Sequence, residues 1–310
     1  MLDIFKLFKS KSQLKIISYN AKWFFDNDDT QIAITKTCDM DEKINYIVGL
    51  LVDSKPDIIC LQEVEGYNKL EDFKHATNNE GDSLNIGNNK YYSAVLHYLA
   101  KKFNASYKTK KVNIDYKYLI GKADRAKQRV GILINTKQIT LIFTTVFKSK
   151  VGLKNISLGF SHNKIEYFLL NIHLKSKFMN NETRRADQAT EITDILKNVN
   201  KKNIIICGDM NMKDPEIDNS EKDIDCYKII MSGGDVINAW TRVDKNILDT
   251  YETHFYDKNR NGKVDKGELS IIDAFIVSKH LRFTVKPLID LKLGDRTVML
   301  SDHIPILLQI

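Results

Sequence analysis

The chain has 310 residues, 43% of them hydrophobic and 28% charged, and carries a formal net charge of +7. This is the make-up of a globular chain long enough to bury a substantial core, which excludes a disordered or collagen-like protein. No apolar run reaches the roughly eighteen residues needed to cross a bilayer, and four cysteines are too few to staple a domain of this size, so an integral membrane protein and a disulfide scaffold are also excluded.

In chain order, the opening MLDIFKLFKSKSQ is interrupted by Asp3 and by lysines at 6, 9 and 11, so it reads as an N-terminal tail over 1–13 and not as a secretory signal. Leu2, Phe5 and Phe8 give this tail one amphipathic turn. A cytoplasmic location is expected, with secretion after N-terminal processing as the alternative. From Leu14 onward a single domain to residue 310 is expected, because no linker, repeat or low-complexity tract divides the chain. LKIISYNAKWFF is strand-like in its β-branched and aromatic content, and Ile44, Ile47, Val48 and Leu51 then recur at helical spacing until Lys55-Pro56. DIICLQEV follows as a buried strand, and residues 66–90, rich in Asn and Gly, as an irregular loop. A helix is expected from Tyr91 to Phe103, then the strands YKYLI, RVGILIN, ITLIFTTVF, NISLGF and IEYFLLNIHL. Short breaks between these strands favour antiparallel pairing. A long helix over Glu182 to Val199 leads into the strand NIIICGD. A helix at Asp225 to Met231 and strands near Val236, Leu248, Ile271 to Val277 and Ile304 to Ile310 close the chain. The fold class expected is α+β, a sandwich with helices outside two mostly antiparallel sheets.

The positive charge is uneven. Ten Lys or Arg against two Asp lie between Lys101 and Arg129, interleaved with Phe103, Tyr107, Tyr116 and Tyr118. That composition suits attraction to phosphates combined with stacking on bases, and equally a solvated lysine-rich surface.

Five polar marks close or open apolar runs: Asn20, Glu63, His173, the pair Asp209 and Asn211, and the pair Asp302 and His303. Phosphodiester hydrolysis needs a Lewis acid, an activated water and a group that answers charge on the phosphate. Glu63 and Asp302 are hard carboxylate donors of the kind Mg²⁺ prefers, and Asn20 adds a neutral oxygen. Asp209 is placed to take a proton from water and Asn211 to hold a phosphate oxygen, if the strand continues through both. His173 and His303 are candidates for acid catalysis and for stabilising the transition state. Asp273, inside the apolar IIDAFIV, is a carboxylate whose burial requires a partner, which an imidazolium would provide.

The motifs LQEVE (61–65), NIHLKS (171–176), GDMN (208–211), IIDAFIVS (271–278) and SDHIPI (301–306) resemble those of the endonuclease/exonuclease/phosphatase superfamily, in order and spacing, from about residue 14 to the last. The resemblance implies a four-layer α/β/β/α sandwich, with Glu63 as principal metal ligand and Asn20 and Asp302 nearby. It implies Asp209 on the attacking water, Asn211 on phosphate, and His303 paired with Asp273. A histidine at 173 is similar to the pancreatic-type DNase and sphingomyelinase-like branch. In that branch's DNases a Glu supports this histidine, and Gln128 stands at the matching place. Arg129 and Lys175 are further candidates for substrate phosphate.

Asp257, Asn259, Asn261, Lys263, Asp265 and Glu268, with Gly262, fit the twelve-residue spacing of an EF-hand calcium loop over 257–268. The flanking stretches read as strands, so a plain hairpin turning on Asn261-Gly262 is the rival reading. The expectation for the whole chain is a monomeric, Mg²⁺- or Mn²⁺-dependent phosphodiester hydrolase with a weak structural Ca²⁺ site, acting on DNA or RNA with low sequence specificity. The alternatives are a lipid or inositol-phosphate phosphodiesterase or phosphatase, and a non-catalytic calcium-responsive binding module.

Overall fold

The computed structural model describes residues 12–24, 40–66, 93–122, 128–177, 181–218, 224–256, 258, 263–265, 267–289 and 301–310. Most of the N-terminal tail, most of the polar loop after Glu65, and Asp257, Asn259 and Asn261 of the calcium-loop motif lie outside the described residues.

Two six-stranded sheets form the centre. The first has the order β13(Thr284–Pro287), β14(Ile306–Gln309), β1(Lys15–Phe24), β2(Ile58–Glu65), β4(Gln128–Asn135), β3(Tyr116–Ile120). The second runs β5(Thr140–Thr145), β6(Lys154–His162), β7(Ile165–His173), β8(Ile204–Asp209), β12(Asp273–Ser278), β9(Val236–Asn238). Each sheet has one parallel pair, β1 with β2 and β7 with β8, and is otherwise antiparallel. The parallel pairs are the two places where a helix crosses over, α1(Met40–Leu51) and α3(Glu182–Asn198), as parallel neighbours require.

One apolar cluster joins α1 and α2(Ala94–Thr109) to the outer face of the first sheet. A larger one fills the space between the sheets and continues under α3 and α4(Cys226–Met231). The four-layer sandwich expected from the resemblance is the observed fold. Its central strands are buried on both faces, which explains why NIIICGD and IIDAFIV read as continuous apolar runs.

Three expectations need correction. The second helix continues beyond Phe103 to Thr109, with Ser93 as its N-cap accepting from the Leu96 amide. Tyr107 lies one turn past Phe103 and extends the buried stripe, while Lys101, Lys102, Lys108 and Lys110 face solvent. Phe103, Tyr107, Tyr116 and Tyr118 are therefore core residues, the first three with their rings against one another, and offer no platform for bases. The strand expected near Leu248 is a short helix, α5(Lys245–Leu248), begun by Asp244, whose side chain accepts from the Asn246 amide.

The stretches flanking the calcium-loop motif form a two-residue hairpin, β10(His254–Phe255) with β11(Leu269–Ser270). Glu268 is buried, and its carboxylate accepts from the backbone amides of Lys258 and Asp265. Lys263 is exposed and Asp265 half-buried. Among the described residues no helix is long and apolar enough to cross a membrane.

Candidate active site

The five polar marks meet at one end of the sandwich. β7 and β8 run parallel and end together, with His173 opposite Asp209, and β12 begins beside them with Asp273 opposite Asp209. Gly208 makes this convergence possible: it adopts φ +144°, and a Cβ there would lie 1.9 Å from the Ile172 carbonyl oxygen. The strand does not continue through Asn211. It stops at Asp209, and Asn211 turns back at φ +53°, donating its backbone N–H to Asp209 Oδ1 (2.7 Å) and its amide Nδ2 to Asp209 Oδ2 (3.0 Å) and the Leu174 carbonyl (2.9 Å). The two side chains come together through an Asx turn and not through strand periodicity.

Asp209 Oδ2 is the hub. Asn20 Nδ2 donates to it at 3.0 Å from the other sheet, and also to Glu63 Oε1 at 3.4 Å. The Nε2 atoms of His173 and His303 stand 3.5 and 3.7 Å from the same oxygen, longer than good hydrogen bonds and close enough for one water or phosphate oxygen to bridge them from the open side. Burial lifts the Asp209 carboxyl to about 7, even though His303 opposes the shift.

Asp273 meets the partner expected of it. His303 Nδ1 lies 2.8 Å from its Oδ2. Burial alone would discharge this imidazole, but Asp273 first and then Asp209 overturn that and raise His303 to about 10. Asp273 is fixed in turn by the backbone: the hydroxyl of Thr253 accepts from the amides of Ile272 and Asp273, and the Trp240 indole donates to the Asp273 carbonyl. His173 has the opposite environment. Burial, reinforced by Lys154, His303 and Lys175, holds it well below its ordinary value. Its Nδ1 is buried without a hydrogen-bond partner among the described residues, and its Nε2 faces Glu63 Oε1 at 3.8 Å as well as Asp209. Burial disfavours its charged form, and a single proton is assigned to Nε2, the nitrogen that faces the carboxylates.

Asp209, Asp273 and His303 lie close enough together to suggest a metal cluster. The geometry argues against that use, because His303 Nδ1 is committed to Asp273 and Asp209 Oδ2 to two amides. The oxygens that fit a hard divalent cation are those of Glu63 and Asp302, on the exposed side of the hub, with Asn20 Oδ1, which now accepts the Lys22 amide at 2.9 Å. Asn20 thus supports two carboxylates through its nitrogen while offering its oxygen outward. Burial opposes charge on Asp302, but His303 and Lys22 outweigh it and hold this carboxyl below its usual value, with Lys22 Nζ 2.7 Å away.

The remaining candidates are placed differently from one another. Arg129 is fully buried in β4, donates to the Gly121 carbonyl and packs against Gly66, so it is a structural neighbour of the site and not an exposed edge cation. Lys175 lies beyond the end of β7, its amide held by Gln188, and its side chain is exposed at the rim. Gln128 donates to Glu63 Oε2 at 3.3 Å and accepts from Lys154 Nζ at 2.6 Å, so it steadies Glu63.

Two side chains here carry no signal in the sequence beyond their type. His254 packs edge-on against His303 with ring centroids 4.8 Å apart, and burial with the His303 charge lowers it to about 3. Lys22 sits two residues after Asn20 at φ +40°. Both reach the site through tertiary contacts: β10 bridges to His303, and Lys22 pairs with Asp302.

Residues 172–307 match the family model described as endonuclease-reverse transcriptase. No curated protein matches the chain. Solved structures match 96% of its length: TDP2 of D. rerio complexed with single strand DNA product aligns at 16% identity over 96% of this chain and 99% of that chain, TM-score 0.57. The human Nocturnin catalytic domain with bound sulfate aligns at 15% identity over 96% and 94%, TM-score 0.59. An endonuclease/exonuclease/phosphatase from Bacteroides vulgatus aligns at 14% identity over 96% and 98%, TM-score 0.59. The chain has the fold of the endonuclease/exonuclease/phosphatase superfamily. Of that fold's two sheets, the first brings Asn20 and Glu63 to the site and the second His173, Asp209 and Asp273, while Asp302 and His303 come from the segment leading into β14.

Proposed function

We propose that this member of the endonuclease/exonuclease/phosphatase fold is a divalent-metal-dependent phosphodiester hydrolase acting on nucleic acid. The observation that carries the reading is the hub itself: Asp209 Oδ2 with two imidazole Nε2 atoms 3.5 and 3.7 Å away, of which His303 is raised to about 10 by Asp273 and Asp209 and His173 is held well below its ordinary value by burial. Like groups whose surroundings push their pKa values apart are the mark of assigned roles. At neutral pH Asp209 is poised to accept a proton from water, with Asn20 and Asn211 holding its carboxylate in place. In-line displacement places the leaving oxygen across the phosphorus from Asp209. His303 lies on the Asp209 side, so its Nε2–H serves the equatorial oxygens where charge accumulates, and Asp273 keeps it protonated. His173, neutral, offers a second Nε2–H to the same oxygens. Glu63 and Asp302, with Asn20 Oδ1, would hold Mg²⁺ or Mn²⁺, which supplies Lewis-acid stabilisation of the phosphate and its leaving oxygen.

Nucleic acid is favoured over a lipid or inositol headgroup by the charge around this end of the molecule. Lys154 pairs with His173 across β6 and β7, so the β5–β6 connection with exposed Lys148 and Lys150 lies at the site, as do exposed Lys175 and Lys177. Such a row answers several consecutive phosphates. The D. rerio TDP2 structure holds a single strand DNA product, and a similar strand is the substrate proposed here.

The test is turnover of supercoiled plasmid, single-stranded DNA, RNA, sphingomyelin and inositol phosphates with Mg²⁺ or EDTA. Cleavage of nucleic acid in Mg²⁺ alone is expected, with kcat falling roughly 10²- to 10⁴-fold in Asp209→Asn and roughly 10²- to 10³-fold in His303→Ala. Turnover of a lipid or inositol phosphate alone, or full activity in His303→Ala, overturns the assignment.

A further inference from the structure

The residue read as metal ligand, Glu63, sits in the wrong place by strand alternation. Ile58 and Cys60 of β2 face the second sheet, while Ile59 and Leu61 face α1 and α2. Continued alternation would send residue 63 to the helix side with them and residue 64 to the site side. The opposite is observed: Val64 joins Leu61 under the helices, and Glu63 is the one residue of β2 that is not fully buried. The cause is a β-bulge. Leu61 pairs with Gly131 and Val64 with Arg129, so Gln62 and Glu63 together oppose the single residue Val130, and Glu63 takes φ +57°. One extra residue shifts the pleat and turns a carboxylate out of the helix layer into the site.

Such a bulge leaves ladder groups unpaired, and a non-glycine residue at positive φ persists only where its surroundings hold it. Here one side chain from the other sheet does so. Asn171 Nδ2 donates to the Leu61 carbonyl (3.1 Å) and the Gly131 carbonyl (2.9 Å), the two that face each other at the start of the bulge. Its Oδ1 accepts from Gln62 Nε2 at 2.7 Å, and Gln62 Nε2 also reaches Ser18 Oγ on β1 at 3.2 Å. Asn171, Gln62 and Ser18 are fully buried, so no water replaces these bonds if they are lost. Asn171 lies two residues before His173, on the same strand.

We propose that Asn171 is the positioning residue for Glu63: its carboxamide locks the β2 bulge across the inter-sheet space and so sets the carboxylate in the metal site. The proposal rests on the reading of Glu63 as metal ligand. It accounts for a buried polar residue in the otherwise apolar strand IEYFLLNIH, since a leucine there would remove the donor to the Leu61 and Gly131 carbonyls and leave Gln62 Nε2 with Ser18 alone. Asn171 touches no reacting atom, and its effect passes through the backbone of residues 61–64.

The experiment compares wild type, Asn171→Ala, Asn171→Ser, Glu63→Ala and the core-cavity control Leu158→Ala. Mn²⁺ binding is followed by electron paramagnetic resonance of the free ion, and amide hydrogen exchange is followed along β2 and β4. Asn171→Ala is expected to weaken Mn²⁺ binding at least tenfold and to accelerate exchange of the Val64 and Val130 amides, leaving those of β5 and β6 unchanged. Leu158→Ala should lower the denaturation midpoint without weakening Mn²⁺ binding. Asn171→Ser, which keeps one donor, should lie between wild type and alanine, and it stands in for alanine if that variant does not fold. Wild-type Mn²⁺ binding in Asn171→Ala or, where that fails to fold, in Asn171→Ser overturns the proposal, as does an equal loss in Leu158→Ala. Undiminished binding in Glu63→Ala overturns instead the reading of Glu63 as ligand, so the two failures are separable.

Discussion

At the scale of single residues, the site shows how far polar marks in a sequence lead and where they stop. Asp273 could be paired with an imidazolium from its apolar surroundings alone, since an ionised carboxylate inside IIDAFIV requires a counter-charge. That reasoning finds His303 in the structure, at 2.8 Å. The contrast between the two histidines was not legible, because it depends on what lies across two sheets: His303 is bonded to Asp273 and charged by it, while His173 has no such bond and is discharged by burial, with Lys154, His303 and Lys175 adding to the effect. His254 and Lys22 could not be found, since neither belongs to a motif. The pH behaviour follows. In EDTA-treated protein the His303 ring should remain an imidazolium at pH 7 and titrate near 10, visible in its ¹³C and ¹⁵N shifts, with Asp273→Asn moving the titration down by more than a unit. Because the folded value lies above the unfolded value of about 6.5, the stability this pair contributes is full below about pH 6.5 and is lost as pH rises through about 10. Urea midpoints of wild type and Asp273→Asn should therefore differ most at acid pH and converge in strong alkali, and an unchanging gap across that range would refute the assignment.

At the scale of elements, strands and helices with strong periodicity were legible to within a few residues, and the errors have identifiable causes. The helix ending at Thr109 runs past Phe103 because Tyr107 keeps the buried stripe, and its lysines belong to the opposite face. Leu248 lies in a helix because Asp244 caps that turn, a signal stronger than one apolar residue. The bulge at Glu63 was invisible, since a run such as IICLQEVE reads the same whether or not the pleat slips. The hairpin carrying the calcium-loop motif is the remaining case. Glu268, the last residue of the expected calcium loop, already closes the loop by accepting from Lys258 and Asp265. A calcium ion taking both its oxygens must displace those amides, so binding is proposed to be weak, in the range of about 10⁻⁴ to 10⁻³ M found for low-affinity modules. Isothermal titration should show heat that Asp257→Ala abolishes. Glu268→Gln should lower thermal stability even in EDTA, because the amide is a poorer acceptor for two backbone donors. Absence of any calcium heat would leave the hairpin reading alone standing.

At the scale of the molecule, strand order could not be read from periodicity, which says which face is buried but not which strand lies alongside, and this is why the charge distribution was misread in one respect. The cationic stretch from Lys101 to Arg129 was legible as a cluster, but its lysines at α2 end beside Asp53, to which Lys110 is paired at 2.8 Å. Residues 52–57 lead into the start of β2, whereas Glu63 lies near its end, a separation of roughly 20 Å at the rise of an extended chain. The lysines that border the site come instead from two segments far apart in the chain, the β5–β6 connection and the stretch after His173, of which Lys175 alone was legible, through its motif. Two surfaces with similar charge are thus at opposite ends of the sandwich, which makes a clean test. Neutralising Lys148, Lys150 and Lys175 together should raise KM for single-stranded DNA with little change in kcat. The same change should reduce the slope of log(kcat/KM) against log salt by about 2, from three phosphate contacts at roughly 0.7 each. Neutralising Lys108, Lys110 and Lys111 should leave both unchanged, because exposed charges that far from the path of the strand are screened within a Debye length of about 8 Å at physiological salt. If the α2 triple substitution carries the larger loss of slope, the nucleic acid runs along the helix layer and not past the start of β6 and the end of β7.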